Sequence, residues 1–266
     1  LPPATVRVIE RDGQEADHVY WEPSFMRPLE RCSKEEWGER VLDALRTAVE
    51  RRMVADVPVG VLLSGGIDSS LVVALLAGSC KHRLKTFSIG FEAAGGEQGD
   101  EFYYSDLIAR EFQTEHRQIR INGAGLLPAI DGAIDNMSEP MISHDCVAFY
   151  LLAEQVSQQV KVVQSGQGAD ELFAGYDWYP PLASVPREGA LDAYARVFFD
   201  RTRADMGHVV HPDRMPSRDV SRELVRAHFE RPGAESSLDA ALRLDTTVML
   251  VDDPVKRVDN MTMAWG

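Results

Sequence analysis

The sequence predicts an α/β fold: a parallel sheet with helices on both faces, followed by a helical extension. Three observations predict it. Short apolar runs alternate with helical periods from residue 33 to about residue 165. Two of those runs end in Ser-Gly and then lead towards a helix. After about residue 186 the strand signals stop and only helical periodicity remains.

The elements follow in order. Residues 1–31 read as a leader, with Pro2 and Pro3 at its start and a turn at Asp12-Gly13. Ser33 is placed to cap a helix, with Glu36 reaching back from three residues on. Trp37, Val41, Leu45, Ala48, Val49 and Met53 keep helical spacing and are expected to face a core. Pro58 ends that segment. Strands are expected at 59–63, 84–89, 115–121 and 160–165, and helices at 68–77, 102–112, 126–136 and 147–158. The extension is expected to be helical around 189–203, 219–229 and 236–250.

Composition removes several function classes. The chain has 266 residues, 28 Lys+Arg against 42 Asp+Glu, and a net charge of -14. A binder of nucleic-acid backbones needs a basic face, so no nucleic acid is expected as partner. No apolar run is long enough to span a membrane, and the N-terminus lacks a signal pattern. Cys32, Cys80 and Cys146 form no C-x-x-C pair, which suits reduced thiols in the cytoplasm rather than a disulfide framework or zinc site. The seven His show no ligand spacing.

The chemistry is carried by "VGVLLSGGIDSSLVVALLA", residues 59–77. In a parallel α/β sheet, ligands sit at the carboxyl ends of strands. Ser64-Gly65-Gly66 falls there. Glycines permit close backbone approach, and the following helix offers free N–H groups to an anion. The stretch lacks the Lys of a P-loop and the G-x-G-x-x-G of a dinucleotide fold, so it is a phosphate loop of another kind. Asp68 would repel phosphates unless a cation such as Mg²⁺ lay between them. The plain alternative is that Asp68 caps the helix.

A second stretch, "VVQSGQGADELFAGY" at 162–176, repeats the logic. Ser165-Gly166 ends a strand, a Gly-rich turn follows, and Asp170-Glu171 stand at a loop or helix start. Asp68 and Asp170, facing across a crevice, would make a divided Mg²⁺ site. The plain alternative makes Asp170 a cap and leaves Glu171 exposed.

Together "LLSGGIDSS", "TFSIGF" and "SGQGADELFAGY" resemble the synthetase domain of the asparagine synthetase family, a PP-loop ATP-pyrophosphatase domain of the adenine nucleotide alpha hydrolase-like type. "DEFYYSDLIAREFQTEH", "SEPMISHDCVAFYLLAE" and "DDPVKRVDNMTMAWG" extend the likeness over roughly residues 20–266, with Asn260 where the family usually has Arg. The wording is most similar to N-acetylglutaminylglutamine amide synthases. The resemblance implies a connector at 1–31 after a missing N-terminal glutaminase domain, then a synthetase domain at 32–266 that is truncated at its C-terminus. It implies ATP and Mg²⁺ as cofactors, and aspartate or a capped dipeptide as the carboxylate acceptor. It further implies ammonia from the absent glutaminase domain, and a homodimer in the full-length parent. The acceptor would be activated as acyl-AMP with loss of pyrophosphate, and ammonia would then form the amide. Other PP-loop enzymes (NAD-forming or tRNA-modifying) and a non-catalytic ATP-binding fragment are the alternatives.

By the match, Ser64, Gly65, Gly66, Asp68 and Ser69 hold the phosphates, and Asp68 and Asp170 hold Mg²⁺. Leu63, Ile89, Ser165 and Gly166 resemble adenosine-contacting positions, though Leu63 and Ile89 equally suit a core. Gln167 stands where many asparagine synthetases carry Glu, and a Gln cannot act as a general base. Glu171 is the substitute candidate. His144 and Asp145 lie where the family's acceptor pocket begins, and "DWYPP" at 177–181 is a candidate groove lining. Lys256 is a candidate phosphate or substrate contact, with an exposed helical Lys as the alternative.

Overall fold

The computed structural model describes residues 1–26, 30–79, 82–91, 102–140, 143 and 145–266. In chain order its strands are β1 (Thr5–Ile9), β2 (Glu15–Val19), β3 (Val59–Leu62), β4 (Lys85–Phe91), β5 (Glu115–Ile121) and β6 (Val162–Gln164). The main helices are α1 (Lys34–Arg51), α2 (Ile67–Ala77), α3 (Phe102–Glu111), α4 (Leu126–Asp135), α5 (Asp145–Ser157) and α6 (Ala169–Phe173). There follow α7 (Tyr179–Leu182), α8 (Ala190–Phe198), α9 (Arg203–Met206), α10 (Val220–Glu230), α11 (Ser237–Leu244) and α12 (Lys256–Met263).

The chain divides into two compact units, Leu1–Leu29 with Tyr176–Asp245, and Glu30–Gly175 with Thr246–Gly266. The second unit holds the predicted sheet. Its four parallel strands run in the order β5-β4-β3-β6. Successive side chains alternate between faces, so each strand feeds two cores. Val61 and Leu63 pack with Val73, Leu76 and Ala109 on the face covered by α2 and α3. Phe87, Ile119 and Ile121 pack with Leu152 and Val156 of α5 on the other. The sheet is thus covered on both faces, as an all-parallel sheet requires.

The Ser33 cap is present: Ser33 Oγ accepts from Glu36 N at 3.1 Å and Glu36 Oε2 accepts from Ser33 N at 2.7 Å. The expected core face of α1 is not uniform. Val49 is buried, but Trp37 and Val41 are exposed, because neighbouring elements cover only the C-terminal end of the helix. Periodicity reports that a helix has an apolar face, not how much of that face finds a neighbour.

The first unit contains a β-hairpin that the leader reading did not anticipate. β1 pairs antiparallel with β2 from Thr5↔Val19 to Ile9↔Glu15, across the turn at Asp12-Gly13. Gly13 takes φ 85° there. Apart from Thr5, both strands are exposed along their length, so burial leaves no clear signature in their sequence. In the same unit Asp245 is fully buried. It accepts hydrogen bonds from Tyr179 Oη at 2.6 Å, from Trp178 Nε1 at 3.3 Å, and from the Tyr194 hydroxyl. Tyr179 of the "DWYPP" stretch is therefore a core residue. The helical extension is broken more often than its periodicity suggests: α8 ends at Phe198 and α9 starts only at Arg203, and α11 passes at Asp245 into π-helical turns.

Candidate functional site

The chain runs outward from β3 to β4 and β5, then returns to the other side of β3 as β6. The strand order reverses between β3 and β6, and both glycine-rich turns leave the sheet at this switch point, where α/β proteins bind ligands.

Each glycine in the first turn has a separate reason. Gly65 has φ 94°, and a Cβ there would lie 2.6 Å from Tyr104 Cβ and 2.7 Å from Ser105 N. Helix α3 thus presses on the turn, and only Gly fits. Gly66 is the N-cap of α2 and no side chain caps the helix. Asp68 is therefore not a cap, and the first-turn amides of α2 are left for a ligand. The hydroxyls tie the turn to the helix: Ser64 Oγ lies 3.0 Å from Ser69 Oγ, Ser64 N donates to Ser69 Oγ at 3.2 Å, and Ser69 Oγ donates to Gly66 O at 3.3 Å. Leu63 is buried in the core, and Ile89 packs against the opposite cluster.

The second turn lies against the first turn of α2. A Cβ on Gly166 would come within 3.0 Å of Ser69 N and 3.2 Å of Asp68 Cβ. Ser165 is half-buried, and its Oγ accepts from Gln167 N at 3.4 Å, while Gln167 is exposed. Gly168 takes φ 98° to start α6, which carries Asp170 and Glu171. Gly175 closes the far side, with a Cβ position only 1.9 Å from Asp170 Oδ1.

The Asp170 carboxyl is held above the ordinary aspartate range, first by burial, then by the negative charges of Asp68 and Glu171. Asp68 and Asp170 are thus close enough for the charge of one to raise the pKa of the other. No group of three or more His, Cys, Asp or Glu suited to a metal occurs among the described residues. Two carboxylates alone suit Mg²⁺ that keeps waters and takes its other ligands from substrate phosphates. Glu171 is 1 % exposed, and its backbone carbonyl accepts from Thr246 Oγ1 at 3.2 Å. It is an enclosed carboxylate rather than a solvated one.

Lys256 is largely covered, bound to Glu139 and, at 3.2 Å, to Asp252. Both partners hold its ammonium above the ordinary range. Sequence reasoning passed over its neighbour Arg257, which is more deeply buried. Arg257 donates to Ser143 Oγ at 2.6 Å and pairs with Asp145 at 3.3 Å and Asp253 at 3.5 Å. Asn260 Oδ1 accepts from Ser138 N at 2.6 Å, which ties α12 to the backbone just after α4. Gly175 and Arg257 both lie inside stretches that carry the family resemblance, at 165–176 and 252–266, but nothing local marks the role of either. His144 and Cys80 lie outside the described residues.

Two glycine-rich turns, a helix start with no side-chain cap, and the neighbouring carboxylates Asp68 and Asp170 thus meet at one end of an α/β sheet. Residues 40–266 match the family model described as asparagine synthase, and the chain belongs to that family. It is 32% identical over 189 residues to the glutamine-hydrolyzing asparagine synthetase 1 of Bacillus subtilis, covering 71% of this chain and 29% of that one. It is 26% identical over 212 residues to the glutamine-hydrolyzing asparagine synthetase of Bos taurus, covering 69% of this chain and 38% of that one. The chain thus spans about a third of the length of these curated relatives. Among solved structures it is similar to an NH3-dependent NAD synthetase from Campylobacter jejuni, with TM-score 0.37 and 17% identity over 85% of this chain and 96% of that one. No helix among the described residues is long and apolar enough to cross a membrane.

Proposed function

We propose that the protein provides the ATP-using half of a glutamine-fed amide synthesis. A substrate carboxylate attacks the α-phosphorus of ATP, acyl-AMP forms as pyrophosphate leaves, and ammonia then displaces AMP to give the amide. The observation that carries this reading is the meeting of two glycine-rich turns at the switch point, with Asp68 beside Asp170.

In this reading the Ser64–Gly66 turn and the first turn of α2 bind the triphosphate through backbone N–H groups. Ser165 and Gly166 form the opposite wall. Asp68 and Asp170 would hold Mg²⁺, which when bound neutralises charge on the departing pyrophosphate. Positioning and electrostatics then carry the reaction. Arg257 pairs with Asp145, which the family resemblance places where the acceptor pocket begins, and Lys256 pairs with Glu139. Gln167 offers no general base, so ammonia attacks without one at that position. The acceptor is aspartate or N-acetylglutaminylglutamine, and the enzyme is cytoplasmic.

The test is Mg²⁺-dependent ATP–pyrophosphate exchange with each acceptor in turn and without ammonia, so that acyl-AMP persists and can react back with pyrophosphate. Exchange with one acceptor assigns it. Mg-ATP binding without exchange for either acceptor refutes the acceptor assignment, and absence of Mg-ATP binding refutes the nucleotide site.

A further inference from the structure

A line of buried polar side chains crosses the α3-covered face of the sheet and ends at the first glycine-rich turn. Thr86 and Ser88 come from β4, Thr114 immediately precedes β5, and His116 lies on β5 with Thr86 opposite it in register. Thr86, Ser88 and Thr114 are buried, and the His116 side chain is 10% exposed. Buried polar groups must find partners, and here the partners fix one another's proton directions.

Ser88 Oγ is bonded to the Leu63 carbonyl, which can only accept, so the single hydroxyl proton of Ser88 points there. The contact between Ser88 Oγ and His116 Nε2, at 3.3 Å, must then be donated by the ring. Burial lowers the pKa of the imidazole below its ordinary value and outweighs two groups that raise it, Asp106, whose Oδ1 lies 3.8 Å from Nε2, and the backbone of Thr86. That oxygen is engaged by Gln118 Nε2 at 2.8 Å. A neutral ring with its proton on Nε2 has a bare Nδ1, which accepts from Thr86 Oγ1 at 2.9 Å. The Thr86 proton is then used, and Thr114 donates to Thr86 at 2.8 Å. Donation runs one way, from Thr114 through Thr86, His116 and Ser88 to Leu63 O.

Leu63 is the residue before Ser64. Its N–H donates to Phe87 O at 2.8 Å, so β4 grips both ends of its backbone just past the end of β3. We propose that His116 is a positioning residue for the first glycine-rich turn, acting through Ser88 to fix the Leu63 carbonyl and so the place of Ser64. This rests on the reading of that turn as the nucleotide site only for its effect on catalysis. The proton order and the positioning stand on their own geometry.

The experiment combines ¹⁵N NMR of the imidazole, amide hydrogen exchange over residues 64–70, and steady-state kinetics. Ser88→Ala, His116→Gln and His116→Asn are compared with the wild type. The Gln amide nitrogen reaches the place of Nε2, whereas Asn reaches only that of Nδ1. The wild-type spectrum is expected to show a neutral ring protonated at Nε2. Ser88→Ala and His116→Asn should speed exchange at Ser64 and Gly66 and raise KM for Mg-ATP about tenfold, the equivalent of one net hydrogen bond. KM for the acceptor should stay within about twofold of wild type, an order-of-magnitude expectation for a site the turn does not form. His116→Gln should recover most of the loss. A ring protonated only at Nδ1, unchanged exchange in folded Ser88→Ala, or Asn performing as well as Gln would each overturn the proposal. The expected NMR and exchange results in a protein that does not bind Mg-ATP would keep the positioning role and overturn the nucleotide reading instead.

Discussion

Gly175→Ala isolates the role of the Asp170 carboxylate. The new Cβ would stand 1.9 Å from Oδ1, 2.9 Å from Cγ and 3.1 Å from Cα of Asp170. Unbonded heavy atoms settle near 3.5–4.0 Å, so Oδ1 must withdraw by more than about 1 Å. The obstructing atom is the end of a side chain that can rotate. Gly175 is exposed and its backbone is not left-handed, so Ala meets no conformational penalty there. The fold should therefore lose about 1 kcal/mol, the low end of what overpacking costs, from the tight contacts to Cγ and Cα. A displacement of about 1 Å at a reacting centre costs on the order of 10²-fold. Pyrophosphate release should fall by that factor, and the Mg²⁺ concentration at half-maximal rate should rise, while the thermal midpoint stays near wild type. The assay is pyrophosphate release titrated with Mg²⁺ at saturating ATP, beside a melting curve. A folded variant with wild-type rate and Mg²⁺ dependence would refute the assignment of Asp170 as a metal ligand.

Two further outcomes follow from burial and charge. Asp170 is raised above the ordinary aspartate range, so its ionised form opposes folding above that range, and the cost disappears as pH falls towards it. Without Mg²⁺, Asp170→Asn should melt higher than wild type at neutral pH, with the gap closing in acid; a gap that widens in acid would contradict the charge reading. Tyr194→Phe removes one donor from the buried Asp245 carboxylate, and should cost about 1.5–3 kcal/mol in urea unfolding, the range for a hydrogen bond to a charged group. A loss below about 0.5 kcal/mol would mean that the remaining donors suffice.

Much of the sheet unit was legible in the sequence because its elements are local. The Ser33 capping box involves residues three apart, and the run at 59–63 followed by Ser-Gly-Gly marks a strand end whatever surrounds it. The hairpin at Thr5–Val19 escaped because its strands stay exposed, and alternation is legible only where one face is buried. The family resemblance points to Lys256, whereas burial falls more heavily on Arg257, a distinction that depends on Ser143 and Asp145 lying alongside it.

The two glycine-rich turns, the carboxylates that follow them, and the α/β order of the unit that carries them can all be read from local residue patterns. These depend on backbone stereochemistry and on periods of 2.0 and 3.6 residues, which act over a few neighbours. The meeting of the two turns, the shared electrostatic environment of Asp68 and Asp170, and the place of Ser88 and His116 behind Leu63 arise only in the packed fold. Those facts come from a strand order in which β6 returns to lie beside β3, and from parallel register between β4 and β5. Pairing across about a hundred residues is set by which arrangement buries both faces of the sheet, and no local pattern of residues carries that information.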